Sequence, residues 1–179
     1  MSLFAVVAYT SDTFGIGVDG HLPWPKLKSD FQRFRDLTIG EIVVMGRKTW
    51  ESLPLSYRPL PKRHNVVVSS SQCTSDFVGA TLVSSLEEAL AEGTLPAGKK
   101  VFVIGGSRLL EEAVLHPAFD TLYATEILEP SFCCDTFLTG KTIDELKNKL
   151  VAESCFQEEQ DEIKYRFVNY AARRDLCPS

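Results

Sequence analysis

Short apolar runs bounded by turn residues recur along the chain at 3–9, 42–45, 65–68, 101–104 and 121–127, several of them rich in valine and isoleucine. Their length and β-branched content predict buried strands. Between them, Leu27, Phe31, Phe34 and Leu37 fall at helical spacing after Pro25, and Ser85 with Glu88 forms a capping box that opens a helix over 86–92. This alternation of strand and helix predicts an α/β fold: one domain over 1–179, with a central mixed, mostly parallel sheet flanked by helices. Alternating stretches around 151–157 and 163–170 add a C-terminal antiparallel hairpin. No internal repeat, low-complexity segment or long linker interrupts the pattern.

At 179 residues and 44% hydrophobic, the chain is large enough to bury roughly 70% of its unfolded-state surface without a metal or disulfides. The apolar run at 3–9 lacks a basic flank and is far short of the ~20 residues of a membrane span, so a cytoplasmic location and no membrane partner are expected. Five cysteines, with Cys133 and Cys134 adjacent, show neither CxxC nor Cys/His ligand spacing. Free thiols follow, with no zinc site and no disulfide framework. A net charge of −5 argues against nucleic acid or an anionic membrane as the main partner. A local anion site is still allowed, because Arg47, Lys48, Arg63 and Arg108 stand near glycine or proline punctuation.

Gly15, Gly17 and Gly20 spell GxGxxG, but residues 10–14 separate them from the strand, and Pro23 and Pro25 block a helix after them. A Rossmann turn does not fit that context; a flexible loop able to act as a lid does. Asp30 falls on the Leu27–Phe31–Phe34 stripe. It reads either as a lone acid in an apolar cleft, suited to general-acid or ligand-orienting work, or as a helix-start residue favoured by the macrodipole. VVMGRKTWES at 43–52 and IGGSRLLEEA at 104–113 share the order strand, glycine, helix, and each puts free N–H groups and an arginine at a helix start. Two such junctions could hold the ends of a pyrophosphate or a nucleotide phosphate. Arg63 in RPLPKRHN has a proline-stiffened mount, fit to clamp a carboxylate or simply to lie on the surface. His21, His64 and His116 show no metal or triad spacing and read as ordinary structure.

Taken together, GIGVDGHLPWP at 15–25, Asp30 six residues after Trp24, VMGRKTWESL at 44–53, RPLPKRHN at 58–65, VIGGSRLLEEA at 103–113 and YATEI at 123–127 resemble the dihydrofolate reductase family in order and spacing. The resemblance covers most of the chain. It implies reduction of 7,8-dihydrofolate to tetrahydrofolate for one-carbon metabolism, with hydride from NADPH passing to the pterin C6 and a proton to N5. On that resemblance Asp30 holds the pterin amino group and ring nitrogen, Thr125 adds a hydrogen bond, and Trp24 orients a water that carries the proton. Val7 or Ala8, Leu22, Phe31, Phe34 and Leu53 wall the pterin and benzoyl rings, and Arg63 binds the glutamate α-carboxylate. Ala8, Ile16, Gly46, Arg47, Lys48, Thr49, Ser69, Ser70, Ile104, Gly105, Gly106, Ser107, Arg108, Leu109 and Leu110 surround NADPH, with Arg47 and Ser70 at its 2′-phosphate. The same resemblance implies cis peptides at Gly105–Gly106 and Arg58–Pro59, and a monomer.

Several positions depart from the family pattern. The Ala8-to-Ile16 connection is one residue longer than usual, Asp30 stands where the eukaryotic branch generally has Glu, Ser70 where an Arg is frequent, and Leu110 where a Tyr is common. The chain ends soon after the hairpin, so no fused thymidylate synthase domain is expected. Two other readings share the fold: an NADPH reductase acting on another pteridine or a pyrimidine, and a nucleotide-binding module without turnover. Dihydrofolate-dependent loss of NADPH absorbance separates them.

Overall fold

A computed structural model of the chain describes residues 2–70 and 74–172. Its strands are β1 (Leu3–Thr10), β2 (Gly15–Gly17), β3 (Ile42–Gly46), β4 (His64–Val68), β5 (Thr81–Val83), β6 (Val101–Val103), β7 (Phe119–Glu129), β8 (Thr136–Phe137), β9 (Leu150–Gln160) and β10 (Ile163–Ala172). The helices are α1 (Lys28–Thr38), α2 (Arg47–Ser52), α3 (Leu86–Leu90), α4 (Ser107–Leu115) and α5 (Gly140–Asp144). Eight strands form one sheet in the order β5-β4-β3-β6-β1-β7-β10-β9, while β2 pairs with β8 in a separate ribbon. From β5 to β7 every pairing is parallel; β10 is antiparallel to both β7 and β9. The α/β architecture and the C-terminal hairpin therefore stand as the sequence predicts. The short strands β2, β5 and β8 were not anticipated, because two or three residues carry no readable alternation.

Local chemistry explains most of the boundaries. Ser85 Oγ accepts from the backbone N of Glu88 at 3.1 Å, as a capping box requires, but the Glu88 carboxylate returns to Ser84 rather than to Ser85. The helix it opens stops at Leu90 instead of 92, since Ala91 turns extended and Gly93 takes φ +84°. In the C-terminal hairpin, Asp161 and Glu162 both have positive φ, 52° and 65°. That is the pairing a two-residue type I′ turn demands, made here without glycine.

Alternation along the central strands divides the side chains between two faces. On one face Ala5, Val7, Tyr9, Leu122, Ala124, Val168 and Tyr170 pack with Leu86, Ala89, Leu109, Leu110, Ala113 and Val114 of α3 and α4. The other face carries two smaller clusters, one of Trp24, Leu27, Ile127, Tyr165 and Phe167, the other of Val43, Met45, Trp50, Val67 and Phe77. α1 spans both: Leu27 just before it joins the first, while Phe34 packs against the second. The expected buried stripe is therefore split, and Phe31 between the two remains 40% exposed. Among the described residues no helix is long and apolar enough to cross a membrane.

Candidate active site

Asp30 lies in the first turn of α1, so its helix-start position is real, and it also reaches the sheet. Thr125 of β7, on the rung shared with Ala8 of β1 and Phe167 of β10, donates from Oγ1 to Asp30 Oδ1 at 2.6 Å. Burial pushes the Asp30 carboxyl above its ordinary range, and the Thr125 hydrogen bond and the Arg33 charge pull it only part of the way back. Arg33, absent from the sequence candidates, donates to the Ala124 carbonyl at 2.9 Å and to Asn169 Oδ1 at 2.6 Å, and its guanidinium lies 4.6 Å from the Phe167 ring centroid. Its three-residue spacing from Asp30 on one helix was the available signal. Trp24 is buried edge-on to Phe132, and among the described residues its Nε1 is the buried side-chain polar atom left without a partner. A buried donor with no protein partner is one that a water or a ligand group can satisfy.

The proposed walls divide between the clusters. Ala8 packs with the Trp24 cluster, Phe34, Leu53 and Ile104 pack against the Trp50 cluster, and Leu22 and Phe31 are exposed. Val7 belongs to the opposite face, against the large core, so Ala8 is the member of that pair sharing a face with Thr125. Alternation places Val6, unnoticed in the sequence, on the same face as Ala8. Arg63 is held by Nε to Thr38 Oγ1 at 2.8 Å and by Nη1 to the Pro61 carbonyl at 2.8 Å, 5.4 Å from the Phe34 ring. Burial and the like charge of Arg35 lower its pKa from the usual value, so an anion brought beside it would be favoured. The mount therefore adjoins Phe34 at the end of α1.

On the other side, β3 and β6 are neighbours, and each runs through glycine into a helix at the sheet's carboxyl edge, the usual ligand position in parallel sheets. Gly46 N donates to Gly105 O at 2.8 Å, drawing the starts of α2 and α4 together. Their N-cap residues, Gly46 and Gly106, supply no side-chain cap, so first-turn N–H groups remain for an anion. The Gly105–Gly106 and Arg58–Pro59 peptides are cis, as the resemblance implies, and so is Glu129–Pro130, which was not expected. Gly105 has φ +124°, and a Cβ there would stand 3.3 Å from Thr49 Oγ1. A side chain at this position would crowd the cradle. Arg47 and Lys48 are exposed at the α2 start, Arg47 lying 3.6 Å from Glu51. Ser69 and Ser70 follow β4, Ser69 N bonding to Val83 O. Leu109 and Leu110 follow Arg108 in α4, and both side chains are buried in the core beneath the helix.

The glycine segment is also not the free loop the sequence suggests. Gly15 and Gly17 pair with Phe137 and Thr136, Thr10 Oγ1 accepts from Gly15 N, and Asp135 accepts from Asp19 N. Glycine is required at position 15, where a Cβ would lie 2.2 Å from Cys134 Sγ. Ile16, in the middle of this strap, packs partly onto the large core.

Comparison with known proteins agrees with this geometry. The dihydrofolate reductase family model matches residues 2–172. A dihydrofolate reductase of Sus scrofa is 36% identical over 92% of this chain and 95% of its own length. Bifunctional dihydrofolate reductase-thymidylate synthases of Daucus carota and Arabidopsis thaliana are 35% and 41% identical over 96% and 76% of this chain. The chain spans about a third or less of those bifunctional relatives, 34% and 26% of their lengths. A match running almost from end to end shows that the chain belongs to the dihydrofolate reductase family.

Proposed function

We propose that this protein reduces 7,8-dihydrofolate to 5,6,7,8-tetrahydrofolate with NADPH, as a cytoplasmic monomer folded as one domain over 1–179. The observation that carries the reading is the Thr125–Asp30 hydrogen bond, on the rung whose Phe167 belongs to the same cluster as Trp24. Thr125 occupies one lone pair of Asp30 Oδ1, which leaves the rest of the carboxylate to accept from two adjacent donors on a flat heterocycle, the pterin amino group and ring nitrogen. In this low-dielectric setting such pairing is stronger than in water. Ala8, Leu22, Phe31, Phe34 and Leu53 exclude water from the rings, and Arg63 receives the glutamate α-carboxylate.

The residues present fit a dinucleotide: the uncapped starts of α2 and α4 face the pyrophosphate, with Gly46 to Thr49 on one side and Gly105 to Arg108 on the other. Arg47, with Ser69 and Ser70, meets the 2′-phosphate, and Ile16 borders the nicotinamide. NADPH supplies the hydride when bound. The chain supplies the other half of the reaction, a proton at N5. Asp30, with its pKa raised by burial, is the acid of the cleft, and Trp24 Nε1 orients the water through which the proton moves. One assay tests the reading: NADPH absorbance followed with and without dihydrofolate, with tetrahydrofolate identified as product. Equal loss in both arms, or none in either, rejects it.

A further inference from the structure

Behind the sheet, away from α1, the next rung after Thr125 carries a second carboxylate. Glu126 is 4% exposed and sits opposite Tyr9 of β1 and Arg166 of β10. Its Oε1 accepts from both Tyr9 and Tyr170 hydroxyls at 2.5 Å, and its Oε2 accepts from Arg166 Nε at 2.5 Å. Burial alone would raise the Glu126 pKa, but the bonds from Tyr170, Tyr9 and Arg166 outweigh it and hold the group ionised. The tyrosines stay protonated, Tyr170 pushed up to about 12 by burial and by the carboxylate, and Tyr9 further. A buried charge of this kind is not an efficient way to stabilise a fold, so its geometry invites a question about position.

That geometry leads to the glycine strap. The Tyr9 ring stacks on Phe14 with centroids 5.5 Å apart and planes at 22°. Phe14, at φ 59°, is the residue from which the chain turns into β2, and Lys147 Nζ lies 5.0 Å from its ring. Tyr9 therefore links the two sites, its hydroxyl on the carboxylate and 3.1 Å from the Tyr170 hydroxyl, its ring under the strap. Resting on the proposed reading of the site, we infer that Glu126 is a positioning residue: through Tyr9 and Phe14 it fixes the Gly15–Gly17 strap, and with it Ile16, over the cofactor side of the cleft.

Amide hydrogen exchange on the full chain without ligand tests this in Glu126→Gln and in Tyr9→Phe, the second of which keeps the ring stack and removes only the hydroxyl. In both variants the amides of Phe14, Gly15 and Val18 are expected to exchange at least about tenfold faster, while those of β3 and β4 keep wild-type rates. The double variant should be no faster than Glu126→Gln alone. Unchanged strap amides in Tyr9→Phe, or acceleration spread evenly into β3 and β4, overturns the inference and leaves Glu126 a general structural residue. In turnover, KM for NADPH should rise in both variants while the Kd for dihydrofolate without cofactor stays put; loss of both alike also overturns it. A wild-type protein inactive on dihydrofolate would sink the functional reading, whereas the exchange result stands independently of it.

Discussion

Replacing Asp30 with Asn separates catalysis from stability more cleanly than any other change at this site. The amide keeps the shape and an oxygen for the Thr125 hydroxyl, whose present bond is 2.6 Å, but it cannot ionise and cannot accept from two further donors at once. General acid assistance contributes ~10²- to 10⁴-fold, or about 2.7–5.4 kcal/mol of barrier at 1.36 kcal/mol per decade. A loss of kcat within that range is expected at neutral pH, with partial recovery in acid where solvent protonates N5. Stability should move the other way. Turning the Thr125 bond from charge-assisted to neutral forfeits about 1 kcal/mol, yet burial is the largest influence on this carboxyl and opposes its charged form. A pKa raised by folding means that Asp30 favours the fold below its unfolded pKa, and that this contribution is lost as pH rises through the folded value. The Asn variant escapes that loss. Its Tm should therefore match wild type near pH 4 and exceed it at pH 8, read by thermal melts alongside kcat from pH 5 to 9. An unchanged kcat across the range removes Asp30 from the mechanism; a Tm below wild type at pH 8 but not at pH 4 shows that the charge was stabilising after all.

Trp24→Phe removes the unpartnered Nε1 while keeping an aromatic ring against Phe132. Its kcat should fall; wild-type kcat in this variant would deny the indole its water. Arg63→Ala is expected to weaken dihydrofolate by roughly 2–5 kcal/mol, the cost of deleting one partner of a desolvated charge pair, with NADPH affinity unchanged. Equal weakening of both ligands in titrations would make Arg63 a structural brace for Thr38. Arg47→Ala should erase most of an NADPH-over-NADH preference of at least roughly tenfold in kcat/KM, because a charge-assisted bond contributes ~1.5–3 kcal/mol. Glu51→Gln should enlarge that preference by releasing the guanidinium from its exposed partner at 3.6 Å; no change in either variant places the phosphate elsewhere.

The strands of the main sheet were legible because burial on both faces forces continuous apolar runs such as IVV at 42–44 and VVV at 66–68, which few other structures tolerate. Helix α1 was legible in its period but not in its burial. The same spacing that puts Phe31 and Phe34 on one side says nothing about whether that side meets a core or a cleft, and here Leu27 and Phe34 serve two clusters while Phe31 stands between them. The β2–β8 ribbon was illegible for another reason. It depends on Cys134 lying against a glycine more than a hundred residues earlier, a contact that no local pattern encodes.

A similar limit separates Asp30 from Glu126. Both are acids inside otherwise apolar periodic segments, and by that signal alone either could be flagged. The rest of the helix face around Asp30 is apolar, so its carboxylate has few local partners and its environment is readable from spacing. Glu126 is satisfied entirely by residues far along the chain, Tyr9 on β1 and Arg166 and Tyr170 on β10. Register sets such partners, and a slip of a single residue would send every one of them to the opposite face. The consequence reaches the site itself: on β7, Thr125 faces the cleft only while its neighbour Glu126 faces the tyrosines, so the polar cluster behind the sheet and the acid–threonine pair in front specify the same alignment of β1, β7 and β10.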